Sequence, residues 1–248
     1  MTDRDASGHR NSWTLNPRRV FGGLSVCVAI LLALSLATRL ANISAIEALG
    51  ITRFLDVNGE GNLPATFSGA LLAFAAVLLY VIGFTKRAGS TPFSKHWLGL
   101  GVMFTYMAID ELAAFHELFI SVGLLLRWLG WSGMYQGTFR FPWVIVGVVA
   151  VISVGFVFRR FVRSLPRRTG RYFLLAATLF VAGAIGGEML GSLVWGSAKI
   201  YTMAALHIEE GLEMVGVVVF IYALLDYARP FVVSVDGEKK RVEISIGC

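Results

Sequence analysis

Nine ionisable side chains lie within stretches of this sequence that are otherwise apolar enough to cross a lipid bilayer. Charged groups are costly at membrane depth, so they are rare there and usually line a cavity or a pathway. Because the nine fall on only three stretches, we interpret them as parts of one site. They are Asp110, Glu111, His116 and Glu117 in the first stretch, Glu188 in the second, and His207, Glu209, Glu210 and Glu213 in the third.

The types of these side chains indicate a metal site. Clustered carboxylates in a medium of low dielectric constant repel one another unless they are protonated or bridged by cations. Carboxylate and imidazole ligands without thiolate suit Fe, Zn or Mn, so we expect one or more divalent ions from among these three. The expected assignment is metal ligands Asp110, His116, Glu188, His207 and Glu210, catalytic residues Glu111 and Glu213, and supporting residues Glu117 and Glu209 behind the ligands.

Two families offer a partial resemblance. The set of ligand types resembles that of carboxylate-bridged di-iron bundles, which combine Glu residues with Glu-x-x-His. Here the order is reversed, His207-x-x-Glu210, so the resemblance does not extend to the motif. The chain is also loosely similar to ceramidase-type membrane hydrolases, but it lacks their His-x-x-x-His pair and no residue roles carry over. From the ligand types, we expect the protein to be a metal-dependent membrane enzyme that oxidises or hydrolyses a lipid or another amphipathic substrate.

The same acids allow two other hypotheses. Glu and His side chains also form the pathways of cation- or proton-coupled transporters and channels. Against a continuous pathway, the first, second and fourth apolar stretches place no charge at membrane depth. In the third hypothesis, a metal ion only holds the helices of a structural or sensory membrane protein together.

Composition places the chain in the membrane class. It is 56% hydrophobic and 15% charged, with a mean hydropathy of +0.69. Soluble domains carry about 25% charged residues. The net charge of +6 does not indicate nucleic acid as a partner, because the basic residues cluster beside apolar stretches. Membrane lipids, and a lipid-like substrate, are the expected partners.

The apolar stretches predict an all-α integral membrane protein with six transmembrane helices. A spanning helix needs about 20 apolar residues, and six stretches qualify: 20–38, 64–85, 97–126, 141–158, 172–195 and 200–225. We therefore divide the chain into a basic N-terminal segment (1–19), a transmembrane domain (20–228) and a C-terminal tail (229–248). In the tail, Asp236-Gly237 lies between two apolar runs, which predicts a short β-hairpin.

The distribution of basic residues predicts the orientation. Lys and Arg are concentrated before the first stretch, after the second, fourth and sixth stretches, and in few other places. By the positive-inside rule, we expect both termini to be cytoplasmic. The membrane that we expect is the plasma (inner) membrane. With 1.5 Å per helical residue, Asp110 and Glu188 lie about 20 and 26 Å from the cytoplasmic ends of their helices. The acids of all three stretches would then face one cavity that opens on the extracytoplasmic side.

The first outer loop contains a weak motif. Residues 56–61, Asp-Val-Asn-Gly-Glu-Gly, match the opening of a calcium-binding loop at every position except Glu60. Such a loop should end in a bidentate Glu at its twelfth position, where this sequence has Phe67. We therefore interpret the segment as a glycine-rich turn.

Overall fold

A computed structural model describes residues 10–41, 44–114, 128, 143–194, 196–236 and 241–247 of the chain. The described part is mostly helical, with a small antiparallel sheet. Its helices are α1 (Pro17–Ala41), α2 (Ser44–Ala48), α3 (Ile51–Phe54), α4 (Leu63–Ala88), α5 (Ser94–Ala113), α6 (Trp143–Ser164), α7 (Arg167–Val181), a π-helical segment (Ala182–Gly187), α8 (Glu188–Leu193) and α9 (Lys199–Tyr227). Its strands are β1 (Arg10–Thr14), β2 (Phe231–Asp236) and β3 (Arg241–Ile246).

Within the described residues, three helices are long and apolar enough to cross a membrane, so the prediction of six transmembrane helices is wrong. The three are α1, α4 and the continuous helix Arg167–Leu193, which comprises α7, the π segment and α8. Helix α9 fails on charge, because every 18-residue stretch of it includes at least three acidic residues. Helix α5 carries Lys95 in its first turn and Asp110 and Glu111 near its end.

Helix α9 is the centre of the helical packing. It contacts α1, α4, α7 and the π segment, and nearly every residue from Met214 to Leu225 is buried. The sequence of this half is Met-Val-Gly-Val-Val-Val-Phe-Ile-Tyr-Ala-Leu-Leu, which is apolar on all sides. A helix of that kind is stable when other elements cover its whole circumference. This half of α9 is therefore buried by the neighbouring helices of the protein.

The two ends of the described chain meet in one sheet of order β1-β2-β3. Arg10 pairs with Asp236, and Phe231 pairs with Ile246. The C-terminal hairpin is thus present, although residue 237 of its predicted turn lies outside the described residues. A two-stranded hairpin alone is marginally stable, and β1 supplies a third strand. Because β1 precedes α1 and β2 follows α9, both ends of the chain lie at the same end of the bundle.

The bundle has two chemically different ends. The basic end carries the sheet; there Arg168 of α7 lies 3.1 Å from the Asp226 carboxylate and donates a 2.8 Å hydrogen bond to the Tyr222 hydroxyl. It also carries Lys86, Arg87, Lys95, Arg159, Arg160, Arg163, Arg167, Arg171 and Arg229. The acidic end carries the connection between α1 and α4, the end of α5 and the first half of α9.

We predict that Trp97→Ala destabilises the bundle by about 3–5 kcal/mol, the usual cost of removing a buried large aromatic side chain. Trp97 is 2% exposed, stacks on Tyr227 with ring centroids 5.0 Å apart, and meets Phe161 edge-on at 4.9 Å. The measurement is thermal unfolding in detergent micelles. Tyr106→Ala, on the same helix at 55% exposure, is the control. Equal losses in the two variants would contradict this packing.

Candidate functional site

Residues 44–62, the described part of the connection between α1 and α4, form a cap on the acidic end. The buried Ser35 hydroxyl of α1 accepts a 3.2 Å hydrogen bond from the Val57 N–H, and Arg39 forms an ion pair with Asp56. Asn62 caps α4 by accepting from the Ala65 N–H at 3.1 Å. Its amide also donates to the Asp56 carbonyl at 2.6 Å. These contacts fix the described part of the cap on the ends of α1 and α4.

The π segment packs against α9 with no space for a side chain. A Cβ built on Gly183 would lie 2.7 Å from Glu213 Cγ and 2.7 Å from the Glu209 carbonyl oxygen. A Cβ on Gly187 would lie 2.5 Å from Glu209 Cβ. Small residues four apart allow helices to approach this closely, and π segments inside α-helices are frequent at functional sites. The approach brings the next residue, Glu188, to the side of α9 that carries the acids.

Aromatic pairs set the register between α5 and α9. Trp97 stacks on Tyr227, and Phe104 stacks on Phe220 with centroids 4.7 Å apart. Both helices advance by seven residues from the first pair to the second, in opposite chain directions. Another step of seven places Glu111 level with Glu213. A repeat of seven keeps one seam of an α-helix facing its neighbour, so the pairing of the rings determines the pairing of the acids.

The structure brings together five of the acids identified in the sequence. Among the residues that the structure describes, the charged groups that act on Glu213 are all carboxylates: those of Glu210, Glu111, Glu209 and Glu188. We refer to these five residues as the carboxylate cluster. It joins α5, the start of α8 and α9.

Burial raises the pKa of the three carboxyl groups that α9 contributes to the cluster. Loss of hydration raises the pKa of Glu209 to about 8, and the charge of Glu188 adds to the effect. For Glu210 and Glu213, burial and then the neighbouring acids raise the pKa well above its ordinary value. These residues belong to α9, which is not one of the three helices apolar enough to cross a membrane. Like charges at close range cannot all be ionised in a poorly hydrated site unless cations neutralise them, so the cluster favours the binding of protons or of a cation.

Two further acids, which the sequence led us to interpret as parts of a turn, act on this cluster. Asp56 and Glu60 of the cap both raise the pKa of Glu210 electrostatically. One feature of the sequence could have linked these two acids to the others: both follow the first apolar stretch and so lie on the same predicted side of the membrane. We compared them with a calcium-binding loop instead, and in that motif the acids converge on one another.

His207 has one satisfied and one unsatisfied ring nitrogen. Its Nδ1 lies 2.8 Å from the Met203 carbonyl oxygen. A carbonyl only accepts hydrogen bonds, so Nδ1 donates to it; in a neutral imidazole with this tautomer, Nε2 is the acceptor. Within the described chain, Nε2 is buried without a hydrogen-bond partner, as is the hydroxyl of Ser192 on α8.

Three other predicted site residues, Asp110, His116 and Glu117, are not among the acids assigned to the cluster. Asp110 is absent from the charges that act on the α9 acids, and its carbonyl accepts a 2.7 Å hydrogen bond from the Ala114 N–H. His116 and Glu117 lie outside the described residues. In the described ranges, no three or more His, Cys, Asp or Glu side chains are placed to hold one metal ion. Metal binding therefore stays a prediction.

Comparison with known proteins identifies the family and no activity. Residues 23–228 match the model of a family described as Domain of unknown function (DUF8692). No curated protein and no solved structure matches the chain. Because the match covers most of the chain, the protein belongs to this family.

We predict that Gly187→Ala destabilises the protein by about 1–3 kcal/mol, the range for overpacking a tight contact. The new methyl group would overlap Glu209 and force α9 away from the π segment. The matched control is Gly191→Ala, since a Cβ at that position meets nothing within 4 Å and Ala is the better helix former. Both are compared by thermal unfolding in detergent. If Gly187→Ala is as stable as the control, the close approach is not required.

Proposed function

We propose that this protein is a proton-coupled membrane transporter whose coupling proton binds at the carboxylate cluster. One observation carries the proposal: each charged group acting on Glu213 among the described residues is another carboxylate. Buried acids arranged in this way stay together only if they share protons or bind a cation. Protons need no ligand geometry, whereas a metal ion needs several converging ligands.

The other half of α9 favours a transporter over a channel. The twelve residues from Met214 to Leu225 contain no charged side chain, and most of them are buried against apolar neighbours. The next acid, Asp226, is held by Arg168 at the basic end. This half of α9 therefore has no continuous row of polar groups along which a proton could move. A proton bound at the cluster would cross the membrane by a movement of helices.

Three apolar helices support a location in a membrane. We propose the plasma (inner) membrane, with the sheet and both ends of the chain in the cytoplasm. Support comes from the basic residues that surround the sheet, because Lys and Arg are enriched on the cytoplasmic side of membrane proteins. The acidic end would then face the extracytoplasmic side, and the surrounding lipids would be the principal partners.

The proton-binding proposal predicts an unusual dependence of stability on pH. An acid whose pKa is higher in the folded protein binds more protons folded than unfolded between its two pKa values. Folding stability therefore falls as the pH rises through that window. For Glu209 the window runs from 4.5 to about 8. We expect the melting temperature to fall by several degrees between pH 5 and 8, and Glu209→Gln to flatten this slope. A melting temperature that rises with pH, or an unchanged slope in the variant, would contradict the proposal.

Proton binding itself is tested by infrared titration of the purified protein. We expect the carbonyl stretch of protonated carboxyl groups to persist at neutral pH and to decrease as the pH is raised through 8. Glu213→Gln should remove part of this band. Glu47→Gln, which changes an exposed acid of the cap, should leave the band unchanged. Absence of any band that depends on Glu213 would rule out proton binding at the cluster.

A metal-dependent enzyme is the second candidate, and His207 favours it. Histidine ligands commonly donate their other ring N–H to a carbonyl or carboxylate, which fixes the ring and its tautomer. His207 makes such a bond to Met203, and its buried Nε2 has no partner within the described part of the chain. A divalent ion would be held by His207 and Glu210, which lie one helical turn apart, and it would activate water or an oxidant for attack on an amphipathic substrate.

The second candidate makes a separate prediction. His207→Ala and Glu210→Ala should each abolish metal loading without changing membrane insertion. The measurement is elemental analysis of protein purified in detergent, with Glu47→Ala as the control. Unaltered metal content in both variants, or no metal in the wild-type protein, would exclude this candidate.

A further inference from the structure

The junction of α6 and α7 concentrates positive charge at the basic end. Residues 159–171 contain Arg159, Arg160, Arg163, Arg167, Arg168 and Arg171 and no acidic residue. Asp226 lies 3.1 Å from Arg168 and neutralises it. Four of the others are exposed, and within the part of the chain that the structure describes none of these four forms an ion pair. We refer to these four residues as the arginine surface: Arg160, Arg163, Arg167 and Arg171.

Close packing of the two helices brings the arginines of α6 and α7 together. A Cβ built on Gly170 of α7 would lie 3.4 Å from the Val162 carbonyl oxygen of α6. The end of one helix therefore lies against the start of the other. Arg163 and Arg171 are the next residues after this contact on their two helices, so the arginine surface is continuous across the junction.

The opposite faces of the same helices anchor the junction in the core. Phe161 and Phe173 are buried, with ring centroids 6.4 Å apart. Arg163 and Arg171 each lie two positions from one of these rings. Two positions turn a helix by about 200°, so the rings face the core and the two arginines face outward.

The charges of the arginine surface are unfavourable for α7 itself. A helix carries partial positive charge at its start, where acidic side chains are the favourable ones. The first turn of α7 has Arg167 and Arg168 and no acid, and within the described residues no side chain caps it. Helix α1 also begins with arginines, but there Asn16 accepts a 3.0 Å hydrogen bond from the Arg18 N–H. Departures from local preference are expected where a sequence serves a function, and an anion bound from outside would offset this repulsion.

Exposed apolar side chains beside the arginines indicate that this anion is a lipid headgroup. Ile152 and Phe156 of α6 are each 67% exposed, and Leu174 of α7 is 60% exposed. The Arg159 guanidinium lies 3.7 Å from the centroid of the Phe156 ring, so positive charge and apolar surface are in direct contact. A soluble anion would use only the charges. The surface of a bilayer offers phosphate groups next to acyl chains, which matches both parts.

We propose that the arginine surface binds the phosphate groups of anionic lipids in the membrane leaflet at the basic end. Arginine suits this ligand, because its planar guanidinium can donate two parallel hydrogen bonds to a phosphate. The binding goes beyond the proposed transport and does not depend on it. It rests only on the location of the three apolar helices in a membrane.

The experiment compares two lipids and a soluble anion by their effect on thermal unfolding. The purified full-length protein, in micelles of a neutral maltoside detergent at low salt, is melted with dioctanoyl phosphatidylglycerol, which is anionic. Parallel titrations use dioctanoyl phosphatidylcholine, which is zwitterionic, and inorganic phosphate. A ligand that binds the folded protein raises its melting temperature as its concentration rises, so each titration yields an apparent Kd.

The test variant is Arg163→Gln/Arg167→Gln, and Arg163→Lys/Arg167→Lys retains both charges at the same positions. The matched control is Arg53→Gln/Lys199→Gln, which removes two positive charges from exposed positions at the acidic end. All variants are first melted without lipid. An unchanged melting temperature then shows that the fold is retained.

We expect phosphatidylglycerol to raise the melting temperature more than phosphatidylcholine at equal mole fraction. Arg163→Gln/Arg167→Gln should weaken the apparent affinity for phosphatidylglycerol by about 25-fold, from about fivefold for each arginine near an anionic surface. The lysine variant should retain most of the affinity, and the control should match the wild type. Equal effects of the two lipids, or equal weakening in the glutamine variant and the control, would overturn the proposal. So would an equal shift with inorganic phosphate, because the surface would then bind a soluble anion.

Discussion

The close contact between α9 and the glycines of the π segment is the constraint on which the rest of the site depends. Gly183 and Gly187 leave no space between the two helices, so Glu209 and Glu213 are held against the segment that ends at Glu188. The acids cannot relieve their repulsion by moving apart without separating the helices. Protons or a bound cation would neutralise the acids and stabilise this packing, and protons need the least space.

The acids at the two ends of α9 have different charged neighbours. At the basic end, Asp226 is neutralised within the protein by Arg168 and lies near Arg229 at 3.7 Å, and the sheet ties the end of α9 to the start of α1. At the acidic end, Glu213 has further carboxylates as its charged neighbours. The aromatic pairs align α5 with α9 between the basic end and the end that carries the acids.

Sequence patterns predicted the hairpin and which segments carry the acids, but not the number of spanning helices. The count by apolar length tolerated charged residues inside a stretch. Helix α9 is the clearest case, because every 18-residue stretch of it includes at least three acidic residues. The π-helical geometry of residues 182–187 had no specific signal either; the glycines indicated close packing, which α-helical geometry would also allow. The electrostatic effect of Glu60 on Glu210 depends on how the cap folds, which its local sequence does not encode.

Binding of protons and binding of a metal ion require opposite ionisation states of the same acids. A metal ion needs ionised carboxylates and releases protons when it binds, so it is favoured as the pH rises. Burial of Glu209, Glu210 and Glu213 favours their protonated form. The folded protein without metal is therefore more stable as the pH falls. If a metal is the natural occupant, saturating metal should stabilise the protein most at alkaline pH and reverse the slope of the melting curve against pH. The sign of that slope with metal present therefore separates the two functions without knowledge of any substrate.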